Sequence, residues 1–439
     1  MSDRVFIMSL GCDKNRVDAE IMAAKLSAEG FTLVEDIRDC DCAIINTCGF
    51  IESAKKESID AIFEAAGFKD TGELKGIVVT GCLSHRYIDE IADEIPEADG
   101  FLALGGNADI CNAVKKVLSG SKVKISSGDL PMSGDRILST PGHYAYVKIA
   151  EGCNNRCSYC AIPLIRGNYR SRTMDDIEAE VRKLVGGGVR EIILVAQDTS
   201  AYGIDLKDGT NLAKLLTRLT AIDGIWKIRL LYTYIDRITD ELLAVMAGSD
   251  KIAKYLDMPL QHCSESILRR MRRYGSRDIL KARIGDIREK VPGVALRSTF
   301  MVGFPGETDE QFEELCDFLR EMKFERAGFF AFSPEEGTPA AGYEDQIDED
   351  IKQERLSIIQ TNQADIMFGL EKAKEGCEFE AVCDGFDQEK LMYVLRSEYD
   401  TPEVDTVIYA LGGEKELMPG DIVRVKIISS DGEDLYGEF

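Results

Sequence analysis

Twice along this chain, short apolar runs alternate with helical patterns, and that alternation restricts it to parallel sheets crossed over by helices. The first series fills residues 4–118, with strand-like runs at 5–10, 42–46 and 76–80 and helical patterns at 17–29 and 53–66. The second fills 144–333, with runs at 145–150, 191–196, 227–232, 254–258, 295–302 and 327–332. Each of its first five runs is followed by a helical segment, and a sixth helix is expected within 348–374. Six parallel strands joined by right-handed crossovers predict an open, partial (βα)6 barrel with ligand sites at the strands' carboxyl ends.

Between the two series, 121–142 is rich in Ser, Gly and Pro without periodicity and reads as a linker. After Gly376 short strands with turns follow, at 378–384, 391–396, 407–410 and 421–428. They suggest a small all-β barrel of about 60 residues. The fold class is thus α/β in three domains: a parallel α/β sheet over 1–120, the partial barrel over 143–374 and the all-β barrel over 375–439.

Thirteen cysteines is an odd number, and a chain with 44% hydrophobic residues needs no disulfide staples, so clustered cysteines read as metal ligands. No apolar run approaches the roughly 20 residues that span a bilayer, so no membrane association is expected. The first eleven residues lack a basic segment, hydrophobic stretch and cleavage site, which points to the cytoplasm. A formal net charge of -25 repels phosphate backbones, so direct RNA binding is not favoured and a basic partner is.

Cys153, Cys157 and Cys160 form C-x3-C-x2-C directly after the first strand of the second series. Three thiolates on one short loop hold three corners of a cubane 4Fe-4S cluster and leave the fourth iron without a protein ligand. An open iron chelates the amino and carboxylate groups of S-adenosylmethionine and passes an electron to its sulfonium. A zinc loop or a set of buried thiols is the other use of such spacing. At the end of the fifth run, Val302-Gly-Phe-Pro-Gly-Glu-Thr brings two glycines that let backbone approach a ligand closely. Gly306 and Glu307 belong either to that ligand-contacting segment or to a turn and a helix start. Gln197, ending the second run in Val195-Ala-Gln-Asp, is a pocket candidate on position alone.

In the first series, Cys12 follows Ser9-Leu-Gly, Cys48 follows Ile45-Asn-Thr and Cys82 follows Val79-Thr-Gly, so each terminates an apolar strand. Parallel strands align their carboxyl ends, where thiols remote in sequence converge. These three are either ligands of a second open cubane, able to bind and deliver a sulfur species, or ordinary buried cysteines. Cys40, Cys42, Cys111, Cys263, Cys316, Cys377 and Cys383 have no ligand spacing and read as buried or incidental thiols. His85, His143 and His262 are too dispersed for a general-base site, and no acid-base residue is assigned.

The C-x3-C-x2-C triad, with Tyr159 just before its last cysteine, resembles the signature of the radical S-adenosylmethionine superfamily. That resemblance implies Tyr159 against the adenine, and Gly303 and Phe304 as backbone contacts to the ligand's amino acid or ribose portion. With Cys12, Cys48 and Cys82 added, essentially the whole chain resembles the methylthiotransferases, which join an N-terminal cluster domain, a radical barrel and a C-terminal TRAM domain. Leu10-Gly-Cys-Asp-Lys-Asn-Arg, Asn46-Thr-Cys-Gly-Phe-Ile-Glu-Ser-Ala and Cys160-Ala-Ile-Pro-Leu-Ile-Arg-Gly are similar to the branch that modifies a ribosomal protein rather than transfer RNA. So are Leu194-Val-Ala-Gln-Asp-Thr and Thr401-Pro-Glu-Val-Asp. Two departures touch the pocket: Cys263 follows Gln261-His262 where the family more often has glycine, and Thr233-Tyr234-Ile235 replaces a more usual histidine-proline or tyrosine-proline pair.

The resemblance implies two 4Fe-4S clusters, on Cys12, Cys48 and Cys82 and on Cys153, Cys157 and Cys160, with S-adenosylmethionine as radical source and methyl donor. The implied substrate is an aspartate of a basic small-subunit ribosomal protein, the twelfth in the standard naming, free or within its subunit. An external donor supplies the electron, and the 5′-deoxyadenosyl radical removes a hydrogen from the aspartate β-carbon, which then takes sulfur held at the N-terminal cluster. No acid-base group readily removes so unactivated a hydrogen. Residues 376–439 hold sixteen acidic against five basic residues, a net of -11. That balance suits a lysine- and arginine-rich protein better than RNA, or marks a solvated acidic face. A transfer-RNA methylthiotransferase predicts a basic C-terminal barrel instead, and a non-enzymatic iron-sulfur electron carrier needs no Val302-Gly-Phe-Pro-Gly-Glu.

Overall fold

A computed structural model describes residues 2–413 and 416–439. Strands β1 (Arg4–Ser9), β2 (Thr32–Val34), β3 (Cys42–Thr47), β4 (Gly76–Gly81), β5 (Gly100–Leu102) and β6 (Val123–Ile125) form a parallel sheet in the order β2-β1-β3-β4-β5-β6. β3 and β4 are buried along their whole length, the reason they read as continuous apolar runs. Alternate residues face opposite layers. Ala43, Ile45, Ile77 and Val79 pack with Ile62 and Ala65 of α2 (Glu52–Asp70), whereas Ile44 and Val78 pack with Met22 and Leu26 of α1 (Asp13–Ala28). Helices α3 (Cys82–Arg86), α4 (Ile88–Glu94) and α5 (Ile110–Leu118) complete the two layers. The sequence shows only β1, β3 and β4 of this sheet, because β2, β5 and β6 are three residues long and carry no measurable period.

The second sheet begins with β7 (Tyr144–Lys148). The next segment forms an antiparallel stem from β8 (Ala150–Glu151) and β9 (Arg170–Ser171), which closes the cysteine loop and its short helix α6 (Ile162–Ile165). β10 (Glu191–Val195), β11 (Lys227–Leu230), β12 (Ile252–Asp257), β13 (Ala295–Val302) and β14 (Arg326–Ala331) then extend the sheet in the order β14-β13-β12-β11-β10-β7, all parallel. Between these strands run α7 (Met174–Gly186), α8 (Leu212–Thr220), α9 (Asp240–Gly248), α10 (Glu265–Arg270), α11 (Arg277–Lys290) and α12 (Asp309–Met322), and α13 (Glu349–Lys372) packs on β14. This is the open six-stranded arrangement expected from the sequence.

β15 (Glu378–Asp387), β16 (Met392–Ser397), β17 (Ile408–Leu411), β18 (Ile422–Ser430) and β19 (Leu435–Glu438) close a small barrel. β19 is the strand the sequence pattern does not announce. The barrel is fastened to the open sheet by two buried ion pairs, Arg396 to Glu191 and Arg326 to Asp400, and by a hydrogen bond from Tyr255 Oη to Asp405 at 2.6 Å. Arg229 pairs with Glu191 and donates to the Glu398 carbonyl. Part of the segment's acidity therefore faces inward onto arginines of the sheet. The Thr401-Pro-Glu-Val-Asp segment supplies Asp405 to this joint.

The chain divides into two compact units, and the division does not follow sequence order. One unit holds residues up to Ser139 together with Ala150–Arg172 and Glu335–Thr338; the other holds Thr140–Ile149, Thr173–Pro334 and Pro339–Phe439. The loop that follows the first barrel strand in sequence thus packs with the N-terminal sheet. Among the described residues, no helix is long and apolar enough to cross a membrane.

Candidate metal centres and ligand turn

Cys12, Cys48 and Cys82 stand at the carboxyl ends of β1, β3 and β4, as adjacent parallel strands require. Asn15 pins these ends together: its Nδ2 donates to the carbonyls of Leu10 at 2.7 Å and of Asn46 and Thr47 at 3.2 Å, and Asn46 Nδ2 returns a bond to the Asn15 carbonyl. Cys12 is the N-cap of α1 and Cys82 is the first residue of α3, so both thiols lie at helix amino ends, which favour negative charge. Ser58 holds the backbone of Cys48 on both sides, accepting from its N–H and donating to its carbonyl, each at 2.9 Å. Gly11, with φ +86°, precedes Cys12 where a Cβ would come within 2.7 Å of Cys48 Cβ and 2.9 Å of its Sγ, so only glycine lets the two thiols approach.

The three thiols are close enough to act on one another's charge. Burial pushes Cys48 up and Cys82 up to about 12, with Arg166 pulling Cys82 the other way. A buried thiol of this kind is ionised most readily by a metal that replaces its proton.

The second trio lies on the loop closed by β8 and β9, where Cys153 N–H donates to the Gly167 carbonyl and Cys160 N–H to that of Cys157, both at 3.1 Å. Cys153 and Cys157 are buried; Cys160 and Tyr159 are half-buried. Arg166, at the far end of α6, is buried and reaches back. Its Nη1 pairs with Asp18 at 3.1 Å and Glu151 at 3.0 Å, and its Nη2 donates to Asn15 Oδ1 at 3.3 Å and to Cys82 Sγ at 3.5 Å. Cys82 also packs with Ala161 and Ile165 of the loop. Both trios are therefore walls of one compact unit.

This donor set fits two iron-sulfur cubanes. Among the described residues, no three cysteine, histidine or carboxylate groups converge on one point as a single metal ion requires. A cubane takes each thiolate on a different iron and does not ask for such convergence.

In the other unit, Gln197 follows β10 and Gly303 and Phe304 follow β13, all at carboxyl ends of the sheet. Glu307 organises the turn after β13: its Oε2 accepts from the N–H groups of Gly303 and of Phe304, the latter at 3.1 Å. Burial pushes the Glu307 carboxyl up to about 7, against the pull of Arg355. With both N–H groups taken and the Phe304 carbonyl accepting from the Glu307 N–H at 2.9 Å, the Gly303 carbonyl is the backbone group this turn can offer a ligand. The Phe304 ring is buried against Phe332 in an edge-on contact at 5.3 Å and has no ligand face. Gly303, at φ +68°, sits where a Cβ would strike the Lys352 side chain. Thr308 and Gln311 form a reciprocal cap on α12, so the helix start read from the sequence belongs to Thr308 and Glu307 is the residue that shapes the turn.

Sequence reasoning quoted Arg166 inside a matching segment and gave it no role; its partners Asp18 and Glu151 lie far from it in sequence and no local pattern joins them. Of the unassigned cysteines, Cys40, Cys42, Cys263, Cys316 and Cys383 are buried packing thiols, Cys111 is half-buried and Cys377 is exposed. His143 bonds Asp384 at 2.8 Å, and His262 is fully buried and held neutral, its pKa lowered to about 3 by burial.

Residues 147–319 match the Radical SAM superfamily, residues 4–103 match Uncharacterized protein family UPF0004, and residues 376–439 match the TRAM domain. The chain is 47% identical over 437 residues to "Ribosomal protein uS12 methylthiotransferase RimO" of Desulforamulus reducens, covering 98% of each chain. It is 43% identical to the protein of the same name in Clostridium tetani, covering 98% of this chain and 97% of that one. In fold it is similar to the radical S-adenosylmethionine methyltransferase TsrM of Kitasatospora setae with cobalamin and a [4Fe-4S] cluster bound, at a TM-score of 0.56 and 14% identity over 77% of this chain and 74% of that one.

Proposed function

This chain belongs to the RimO family of ribosomal protein uS12 methylthiotransferases, and we propose that Cys12, Cys48 and Cys82 hold one of its two 4Fe-4S clusters and Cys153, Cys157 and Cys160 the other. It is a radical S-adenosylmethionine enzyme that places a methylthio group on the β-carbon of an aspartate of uS12. The observation that carries the residue assignment is the gathering of both trios in one compact unit, with Arg166 touching Cys82 from the loop of the other three.

When bound, the clusters and S-adenosylmethionine supply one-electron cleavage of the sulfonium, removal of the β-hydrogen, and the sulfur and methyl of the new group. The chain's own residues hold and orient. The amino end of α1 presents Cys12 and that of α3 presents Cys82. Glu307 fixes the turn at which Gly303 and Phe304 would offer backbone atoms to S-adenosylmethionine, Gln197 at the end of β10 would be a further contact, and Tyr159 of the cysteine loop would offer its ring to the adenine. Domain boundaries at 1–120, 143–374 and 375–439, a cytoplasmic location and an external electron donor belong to the same reading. The acidic last barrel receives a basic protein, free or within the small subunit, rather than RNA.

The test is anaerobic reconstitution with iron and sulfide, followed by incubation with S-adenosylmethionine, a reductant and either uS12 or transfer RNA. Mass analysis should find a methylthio gain on uS12. A gain on RNA alone overturns the substrate assignment.

A further inference from the structure

We infer that Arg166 is a positioning residue that joins the two cluster cradles and sets the reduction potential of the N-terminal cluster through a hydrogen bond to the Cys82 thiolate, an inference that rests on the cluster assignment above.

The contacts of Arg166 exceed what a structural ion pair needs. Its side chain and those of Asp18 and Glu151 are each 1% exposed. One arm of the fork, Nη1, satisfies both carboxylates, which leaves Nη2 for Asn15 Oδ1 and Cys82 Sγ. The partners are not random members of the core. Asn15 and Asp18 lie in the first turns of the helix that Cys12 caps, Glu151 lies two residues before Cys153, and Cys82 is itself a proposed ligand. One guanidinium thus touches the surroundings of both trios. Cys82 also packs with Leu104, Ala161 and Ile165, and the Arg166 Nη2 reaches its sulfur from the same side as that apolar loop.

A hydrogen bond donated to a cluster thiolate stabilises the more negative, reduced state and raises the potential, and a buried cation acts in the same direction. A lysine at this place keeps the charge but is a point donor without the planar fork, and cannot serve the carboxylates and the sulfur together.

The experiment isolates one cluster by carrying Cys153→Ala, Cys157→Ala and Cys160→Ala in the full chain. In that background Arg166→Lys is compared with Arg166→Gln, the latter made together with Asp18→Asn so that the net charge of the buried group is unchanged. Redox titration followed by electron paramagnetic resonance should show the remaining cluster moved to a more negative potential in both variants, with altered g-values. A lowered melting temperature with unchanged potential and spectrum marks Arg166 as structural only and overturns the inference. Iron analysis of the parent background is the separate control: a parent that binds no cluster overturns the assignment of Cys12, Cys48 and Cys82 rather than the role of Arg166.

Discussion

Arg396 of the small barrel lies 2.7 Å from a carboxylate oxygen of Glu191, the first residue of β10, and neither side chain reaches solvent. Glu191 is further held by Arg229, so this pair is the centre of the joint between barrel and sheet. Removing one member of a buried pair strands the other, at a cost of about 3–5 kcal/mol. Arg396→Met should therefore lower unfolding stability by that order in denaturant titration. Burial opposes ionisation of Glu191, but Arg396 and Arg229 win and hold it below its usual 4.5. The folded form thus binds fewer protons, and the contribution is complete above pH 4.5 and is lost as pH falls below it. In the variant this acid-side loss should shrink.

Glu307 titrates in the opposite sense. Its folded value of about 7 exceeds the ordinary 4.5, so the folded chain holds the extra proton between the two, and stability falls as pH rises through that window. Glu307→Gln, which keeps an acceptor for Gly303 and Phe304, should flatten this slope in thermal melts between those pH values. Glu307→Ala removes the acceptor of two buried N–H groups, at about 1–3 kcal/mol for an unmet bond. Binding of S-adenosylmethionine, followed by calorimetry, should weaken about tenfold or more in the alanine variant and much less in the glutamine one.

Iron content tests the two trios separately. Anaerobically reconstituted protein should carry roughly eight irons, falling to about four when Cys12, Cys48 and Cys82 become alanine and to about four when Cys153, Cys157 and Cys160 do. A content near four that survives the first set of replacements contradicts the two-cluster arrangement.

Gly11→Ala reaches the N-terminal cradle without touching a ligand. The added methyl group meets Cys48 Cβ and Sγ, at a φ of +86° that alanine rarely adopts. Iron and sulfide should fall by half in this variant while the spectrum of the other cluster is retained.

The parts of this arrangement that were legible in the sequence are those that repeat. β3 and β4 announce themselves because both faces are buried, and Cys48 and Cys82 are marked by following them. The C-x3-C-x2-C loop is legible because its ligands are neighbours in sequence. What escapes is pairing between remote charges. Net charge counted Asp384, Asp400 and Asp405 as surface, whereas they face Arg396, Arg326 and Tyr255 inside the joint. Arg166 escapes for the same reason, since its carboxylates at 18 and 151 carry no periodicity in common with it.

The stem of β8 and β9 gives the N-terminal unit custody of a loop that sequence order would hand to the barrel. Cutting the chain at the 121–142 linker would not yield a minimal radical enzyme. A fragment starting there would keep Cys153, Cys157 and Cys160 but strip Arg166 of Asp18, Asn15 and Cys82 and expose the apolar side of α6. Transplanting this head onto another barrel would likewise have to carry residues 150–172 with it, so the natural module for grafting is discontinuous.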